Sequence, residues 1–255
     1  MPEGRYRLIG STASPYAIKL RALLRYRRVP FDWVIMTKAL RKATEHLRPN
    51  LIPVLQYPDG TYRGETTTLA YDLERRHKDR SVIPEDKAIA FVCDLLEDLA
   101  DEWAVKPLFL YRWWDPEDQA YVSRWAGEEW SVSEVETGSP EEIEQFRQRQ
   151  VSRMVILGAT AENKPLLEES YLRMLAAFEP HVGMSNYLFG SKPSLADFAG
   201  SGSSARWQPI RRRCGSCARR RRSPITGCGG WTMPPASRAR GIRASRRSEA
   251  WPRPY

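Results

Sequence analysis

The first eighty residues alternate short apolar runs with amphipathic segments, a pattern typical of a small α/β unit. Tyr6 to Ile9 and Phe31 to Met36 predict two buried strands, and apolar residues recur at helical spacing from Pro15 onward. Leu51 to Arg63 predicts a hairpin, because Pro-Asp-Gly separates two short strands within it. A further helix is expected from Glu65 to about His77. This order of elements predicts a mixed sheet packed against helices.

The pattern becomes helical after a short linker. Asp86 to Val105 and Lys164 to Phe178 carry apolar residues near the helical period, and a helix start is expected at Glu141. The chain therefore predicts an α/β unit over residues 1–80 followed by an all-helical unit over residues 86–199. One cluster in the helical unit forms either core or the wall of a substrate pocket: Tyr111, Arg112, Trp113 and Trp114.

Composition narrows the class of protein. A chain of 255 residues with 42% hydrophobic content can bury a substantial core. No apolar run approaches the roughly 18 residues of a membrane span, and the N-terminus lacks the apolar stretch of a signal peptide. We therefore expect a cytoplasmic protein without a membrane partner. Four cysteines are too few for a disulfide framework at this length.

The end of the chain differs from the rest in charge. Residues 201–255 hold 14 arginines, no lysine and one acidic residue, Glu249. Residues 1–200 hold 26 basic and 30 acidic side chains, so the formal charge of +9 originates in the tail. We expect residues 200–255 to be a disordered, arginine-rich tail joined to an ordinary globular sequence.

Four segments, in this order, resemble the glutathione transferase superfamily. Ser14-Pro15-Tyr16 is similar to the start of helix 1 in bacterial and omega-like members, and Ile52 to Leu55 is similar to the cis-proline segment. Glu65-Thr66 is similar to the pair that opens helix 3. Tyr187 to Gly190, followed by Pro193 to Phe198, resembles the motif that begins a central helix of the second domain. The resemblance implies a thioredoxin-like N-terminal domain followed by the all-helical C-terminal domain of the superfamily.

By this resemblance the chain is a glutathione transferase-like enzyme, which activates its co-substrate glutathione for attack on a small electrophile. A hydroxyl at a helix N-terminus lies where free N–H groups and the helix dipole favour negative charge, so it can donate to a thiolate. The resemblance implies Ser14 as that catalytic hydroxyl. Ser11 is the alternative, because related classes place the active serine slightly earlier. In a competing interpretation, Ser14 only caps the helix.

The resemblance also implies the residues that bind glutathione. Ile52, before a cis peptide bond to Pro53, would use its backbone to pair with the cysteinyl portion. Glu65 would meet the γ-glutamyl ammonium, while Thr66 and nearby N–H groups would receive its carboxylate. A plain N-cap at Thr66 is the alternative. Three cations are candidates for the glycyl carboxylate: Lys38, Arg41 and Lys42.

The tail is explained best as a shifted reading frame. The superfamily would continue helically after Ala199, but arginine, glycine, proline and serine follow instead. If the codons for Trp207 to Ile210 are translated in the frame that starts at their third base, they can encode Leu-Ala-Thr-Asp. This peptide resembles the sequence that bacterial members carry at this point. We therefore hypothesise a single-base insertion or deletion near codon 199 or 200, which truncates the helical domain. The lost helices would leave three apolar faces without partners, around Leu95, Leu166 and Leu175.

Other interpretations of the tail are weaker. Cys214 and Cys217 have CxxC spacing, but Cys228 is the only other cysteine there and no histidine follows, so we expect no metal site. Arginine runs bind nucleic acid weakly at low salt whether selected or not, so no specific nucleic-acid partner is expected. Relatives are usually dimers, which implies a homodimer for the intact parent. Two alternatives to the enzyme are a non-catalytic binding protein with the same fold and a degraded, inactive member.

Overall fold

The computed structural model describes residues 4–133 and 139–204. Within them lie four strands and nine α-helices: β1 (Tyr6–Gly10), α1 (Pro15–Tyr26), β2 (Phe31–Ile35), α2 (Lys38–Ala43), β3 (Val54–Gln56), β4 (Tyr62–Arg63), α3 (Thr66–Arg76), α4 (Lys87–Asp98), α5 (Val105–Trp113), α6 (Pro116–Ser133), α7 (Pro140–Ile156), α8 (Lys164–Met184) and α9 (Leu195–Ser204). A π-helical turn, Leu99–Trp103, joins α4 to α5. The predicted disordered tail covers residues 200–255: residues 200–204 are instead helical, at the end of α9, and residues 205–255 lie outside the described ranges. The shifted reading frame remains a prediction.

The four strands form one mixed sheet in the order β2-β1-β3-β4. β1 pairs parallel to β2 and antiparallel to β3, with Ile9 opposite Val54. Because β1 ends where β3 begins, the turn after β1 and the residues before β3 lie at the same edge of the sheet. The predicted fold class, a thioredoxin-like sheet with helices followed by a helical remainder, is confirmed.

Local sequence explains where several helices begin. The Ser14 side chain accepts the N–H of Ala17, and proline follows at the first position of α1. The Asp86 carboxylate accepts two N–H groups at the start of α4. Ser139 and Glu142 form a reciprocal capping box, so α7 begins one residue before the predicted Glu141.

One apolar core joins the sheet to the last described helix. Leu8 and Leu55 of the sheet, Leu23 of α1 and Leu195 of α9 belong to the same buried cluster, and the ring of Phe198 lies 5.7 Å from that of Tyr26. A second core, within the helical part, is formed by Leu110, Trp113, Val122, Met154, Ala159 and Leu167. Burial of apolar area in these two cores is the main force that holds the elements together.

The end of the helical part departs from two sequence predictions. The expected boundary near Ala199 is wrong for the helix itself, because α9 continues to Ser204 and its Gly202 is buried close to the backbone of Pro15. Leu175 packs against the cluster around Tyr171, so it does have partners. By contrast, Leu95 and Leu166 are 57% and 56% exposed.

No helix within residues 4–133 or 139–204 combines the length and the apolar character needed to cross a bilayer.

Candidate functional site

The N-terminus of α1 presents Ser14 at the edge of the sheet. Ser14 is partly exposed and has extended backbone angles, φ −85° and ψ 124°. Its Oγ accepts the N–H of Ala17 at 3.2 Å, and its own N–H donates to the carbonyl of Ser11 at 3.1 Å. Within the described residues no group accepts the Ser14 hydroxyl proton. Because a hydroxyl can accept and donate at once, Ser14 caps the helix and still has a donor to offer.

Ser11 lies in the same turn but its hydroxyl is engaged. Its Oγ accepts the N–H of Ala13 at 3.1 Å and donates its proton to Oε2 of Glu129, which comes from α6. The N–H of Thr12 donates to the other oxygen of the same carboxylate at 2.6 Å. The turn before α1 therefore already holds one negative charge, and of the two serines Ser14 is the one with its donor free.

The residues before β3 meet this turn at the sheet edge. The peptide bond between Ile52 and Pro53 is cis, and Pro53 is buried. Val54, the next residue, pairs with Ile9 just before the turn that carries the two serines. The register of the sheet thus brings the Ile52 backbone to the same edge as Ser14.

The start of α3 has an unusual backbone. Glu65 has a φ of +65°, in the left-handed region that non-glycine residues rarely adopt, and its exposed side chain makes no capping bond. Such strained residues concentrate at functional sites. Thr66 is the first helical residue and is buried, so the alternative of a plain N-cap at Thr66 is wrong; Glu65 occupies that position.

A buried ion cluster ties α1 to α3 and to the helical part. The ammonium of Lys19 pairs with Glu97 of α4 and, at 2.5 Å, with Asp101 of the π-helical turn. It also lies 3.4 Å from the hydroxyl oxygens of Thr66 and Thr67. Burial raises the pKa of Asp101 to about 6, while the charge of Lys19 acts in the opposite direction. The cluster therefore fixes the helix of Ser14 against the helix of Thr66.

The three candidate cations of α2 differ in their surroundings. Arg41 donates to the carbonyl of Asn50 at 3.0 Å, two residues before Ile52, and burial together with nearby Arg149 lowers its pKa. Lys38 pairs with Glu142 of α7 at 2.7 Å. Lys42 is exposed. Arg41 is thus the candidate that the chain holds beside the cis-proline segment.

The aromatic cluster of α5 is mostly core. Trp113 is buried against Phe146, and Tyr111 packs against Tyr171. Its charged member, Arg112, is also buried, and its Nη1 donates to the carbonyl of Ala13 at 2.9 Å. Burial lowers the pKa of Arg112 to about 10. The cluster thus places the Arg112 guanidinium in contact with the turn that carries the two serines.

Comparison with known proteins identifies the N-terminal part. Residues 8–81 match the family model for the N-terminal domain of glutathione S-transferases. The chain therefore carries an N-terminal domain similar to that of glutathione S-transferases. The match covers the sheet apart from the first two residues of β1, the serine turn, the cis-proline segment and α3. No curated protein sequence matches the chain.

Solved structures share the transferase fold at low sequence identity. FzlA from C. crescentus superposes with a TM-score of 0.54 at 14% identity, covering 81% of this chain and 83% of FzlA. A glutathione S-transferase from Rhodospirillum rubrum F11 gives 0.51 at 15% identity, with 81% and 83% covered. A glutathione S-transferase from Methylobacterium radiotolerans, in complex with glutathione sulfonate, gives 0.49 at 21% identity, with 84% of each chain covered.

Sequence reasoning missed two side-chain contacts of the serine turn. Glu129 and Arg112 contact the serine turn from 118 and 99 residues away along the chain. Neither belongs to a motif: Glu129 lies in a helix that the periodicity did not single out, and Arg112 was grouped with aromatic neighbours. Only the packing of the helical part against the sheet places them beside Ser11 and Ala13.

Proposed function

We propose that this chain binds glutathione and activates its thiol at Ser14 for attack on a small electrophile. The observation that carries the proposal is the Ser14 hydroxyl, which caps a 12-residue helix and has its proton available. Donation from this hydroxyl and the positive end of the helix dipole both favour thiolate over thiol. The thiol releases its proton to solvent. The sulfur lone pair then forms the bond to the electrophile, whose leaving group departs with the electron pair.

The rest of the edge supplies partners for the two ends of glutathione. The backbone of Ile52, which the sheet register brings to the same edge as Ser14, would pair with the cysteinyl portion. The exposed Glu65 carboxylate would meet the γ-glutamyl ammonium, and the first N–H groups of α3 beside Thr66 would receive the adjoining carboxylate. Arg41 is the proposed partner of the glycyl carboxylate, because its hydrogen bond to the Asn50 carbonyl keeps it near Ile52.

The matched pair Ser14→Ala and Ser11→Ala tests the mechanism. We expect Ser14→Ala to lower kcat/KM for glutathione and an aryl halide roughly 100-fold, the usual loss for one transition-state donor. Ser11→Ala should change kcat/KM far less, because the Ser11 hydroxyl already donates its hydrogen bond to Glu129. Thermal melts check that loss of the cap, about 1 kcal/mol, leaves Ser14→Ala folded.

The outcomes separate the alternatives. A loss confined to Ser11→Ala would transfer the catalytic role to Ser11. Turnover that neither substitution affects would refute activation by a serine in this turn. Glutathione binding without turnover in the unaltered chain would favour the non-catalytic binding protein, and neither binding nor turnover would favour the degraded member.

The homodimer of the intact parent also remains a proposal, supported by the superfamily resemblance. Light scattering of the purified chain measures whether this chain retains it: twice the chain mass of 29.4 kDa indicates a dimer, and a single chain mass indicates that this chain does not form one.

A further inference from the structure

Arg112 is a buried cation for which the described residues provide no anionic partner. Arg112 is only 6% exposed. One terminal nitrogen donates to the Ala13 carbonyl, whereas Nη2 is buried and has no hydrogen-bond partner in residues 4–133 and 139–204. Buried charges are normally paired, because an uncompensated one is costly to remove from water. Within the described residues, the Arg112 guanidinium therefore has a positive charge that no carboxylate neutralises.

The position of Arg112 places this charge at the serine turn. The Ala13 carbonyl belongs to the peptide group that also carries the N–H of Ser14, and this N–H donates to Ser11. Arg112 thus holds the turn that presents Ser14, and it adds a full positive charge where the dipole of α1 is already positive. Two independent sources of positive potential meet at one turn.

Other charged groups near this turn are already engaged. Glu129 accepts from Ser11 and Thr12. One turn further along α1, Asp101 is paired with Lys19, and its backbone carbonyl accepts the hydroxyl of Tyr16. Neither carboxylate forms an ion pair with Arg112 in the described part of the chain.

We propose that Arg112 is a positioning residue of the glutathione site, which fixes the Ala13–Ser14 peptide and stabilises the bound thiolate through its buried charge. This inference rests on the proposed function. Because burial lowers the pKa of Arg112 only to about 10, the guanidinium stays charged at neutral pH and acts as a constant field rather than as a proton donor.

Ultraviolet titration of the thiolate in the glutathione complex of the full chain tests this proposal. Arg112→Gln keeps an N–H donor for Ala13 but removes the charge, and we expect the bound thiol's pKa to rise by about one unit or more. Below both pKa values kcat should fall about tenfold, and above them it should recover, since each pKa unit is a tenfold change in thiolate. Arg112→Lys should stay close to the wild type, as should the exposed control Arg173→Met.

The outcomes distinguish this inference from the proposed function. If the unaltered chain does not lower the thiol's pKa, both fail together. If it does, and Arg112→Gln has the same thiol pKa, only the role of Arg112 is overturned. An activity loss equal at every pH would also overturn it, because that is the mark of a purely structural contact. Should the glutamine variant not fold, Arg112→Met, which keeps the apolar stem, replaces it under the same criteria.

Discussion

Lys19→Met would remove the only cation of a buried cluster that, in the described structure, joins four helical segments: α1, α3, α4 and the π-helical turn. Lys19 is 1% exposed, and its partners Glu97 and Asp101 are 5% and 9% exposed. The Thr67 hydroxyl also donates to Glu97 at 2.5 Å. The methionine side chain fills a similar volume, so the substitution changes charge far more than packing.

The expected loss follows from the two carboxylates that remain. Removing one partner of a buried pair usually costs about 3–5 kcal/mol, because the other charge is left buried without compensation. The free energy of unfolding of natural domains is about 5–15 kcal/mol. The variant should therefore lose a large part of its stability at pH 8. The surviving hydrogen bond from Thr67 to Glu97 offsets only a small part of this loss.

The loss should depend on pH in a defined direction. The pKa of Asp101 is raised in the folded chain, chiefly by burial, to about 6 from an ordinary value of 3.8. The folded state therefore binds its proton more tightly than the unfolded state, so this contribution to stability is present below pH 4 and is lost as pH rises through 6. Without Lys19 the pKa of Asp101 rises further, so the deficit of the variant should shrink between pH 8 and pH 5.

Urea unfolding followed by circular dichroism, at pH 8 and at pH 5, measures both effects. The matched control is Lys164→Met, whose ammonium lies 4.0 Å from Glu168 in a partly exposed pair; such pairs contribute about 0–1 kcal/mol. The reasoning is wrong if Lys19→Met loses no more stability at pH 8 than the control, or if its deficit grows toward pH 5.

Three further predictions concern the serine turn and α9. Gly202→Ala should lose about 1–3 kcal/mol by thermal melt, because its Cβ would lie 2.5 Å from the Pro15 carbonyl oxygen. Gly200→Ala, whose Cβ meets nothing within 4 Å, should gain up to about 1 kcal/mol from helix propensity; equal effects at the two sites would contradict the packing. Glu129→Gln should tighten glutathione binding roughly fivefold in calorimetry, since about 1 kcal/mol of repulsion near the thiolate disappears; weaker binding would contradict this. Asp197→Ala should lose about 1–3 kcal/mol in urea unfolding, because buried N–H groups lose their acceptor, and a loss within error would refute it.

Features that depend on residues close together along the chain could be predicted from the sequence, whereas features that depend on distant residues could not. Helix starts depend on neighbours three or four residues away, so Ser14-Pro15 was sufficient to place the start of α1. The strands of the sheet were readable as short apolar runs, although β3 is only three residues long and begins later than the hairpin pattern suggests. The glutathione residues came from resemblance, and their roles remain predictions.

Errors arose where distant segments meet. Helical spacing from Pro15 onward gives no sign that Lys19 is buried, yet partners 78 and 82 residues away make it one of the most buried side chains. The expected end of the helix near Ala199 ignored Gly202, whose missing side chain lets α9 approach the start of α1.

The sequence by itself determined the fold class, the order of the strands, the cap at Ser14 and the turn that bears it, because these depend on periodicity and on contacts between near neighbours. Only the tertiary structure decided which serine hydroxyl is free to donate a further hydrogen bond. It also decided which cation contacts the turn. Glu129 engages Ser11 from α6, and Arg112 reaches Ala13 from α5. Charge and hydrogen bonding at the candidate site are set by side chains that only the packing of the helical part against the sheet brings within reach.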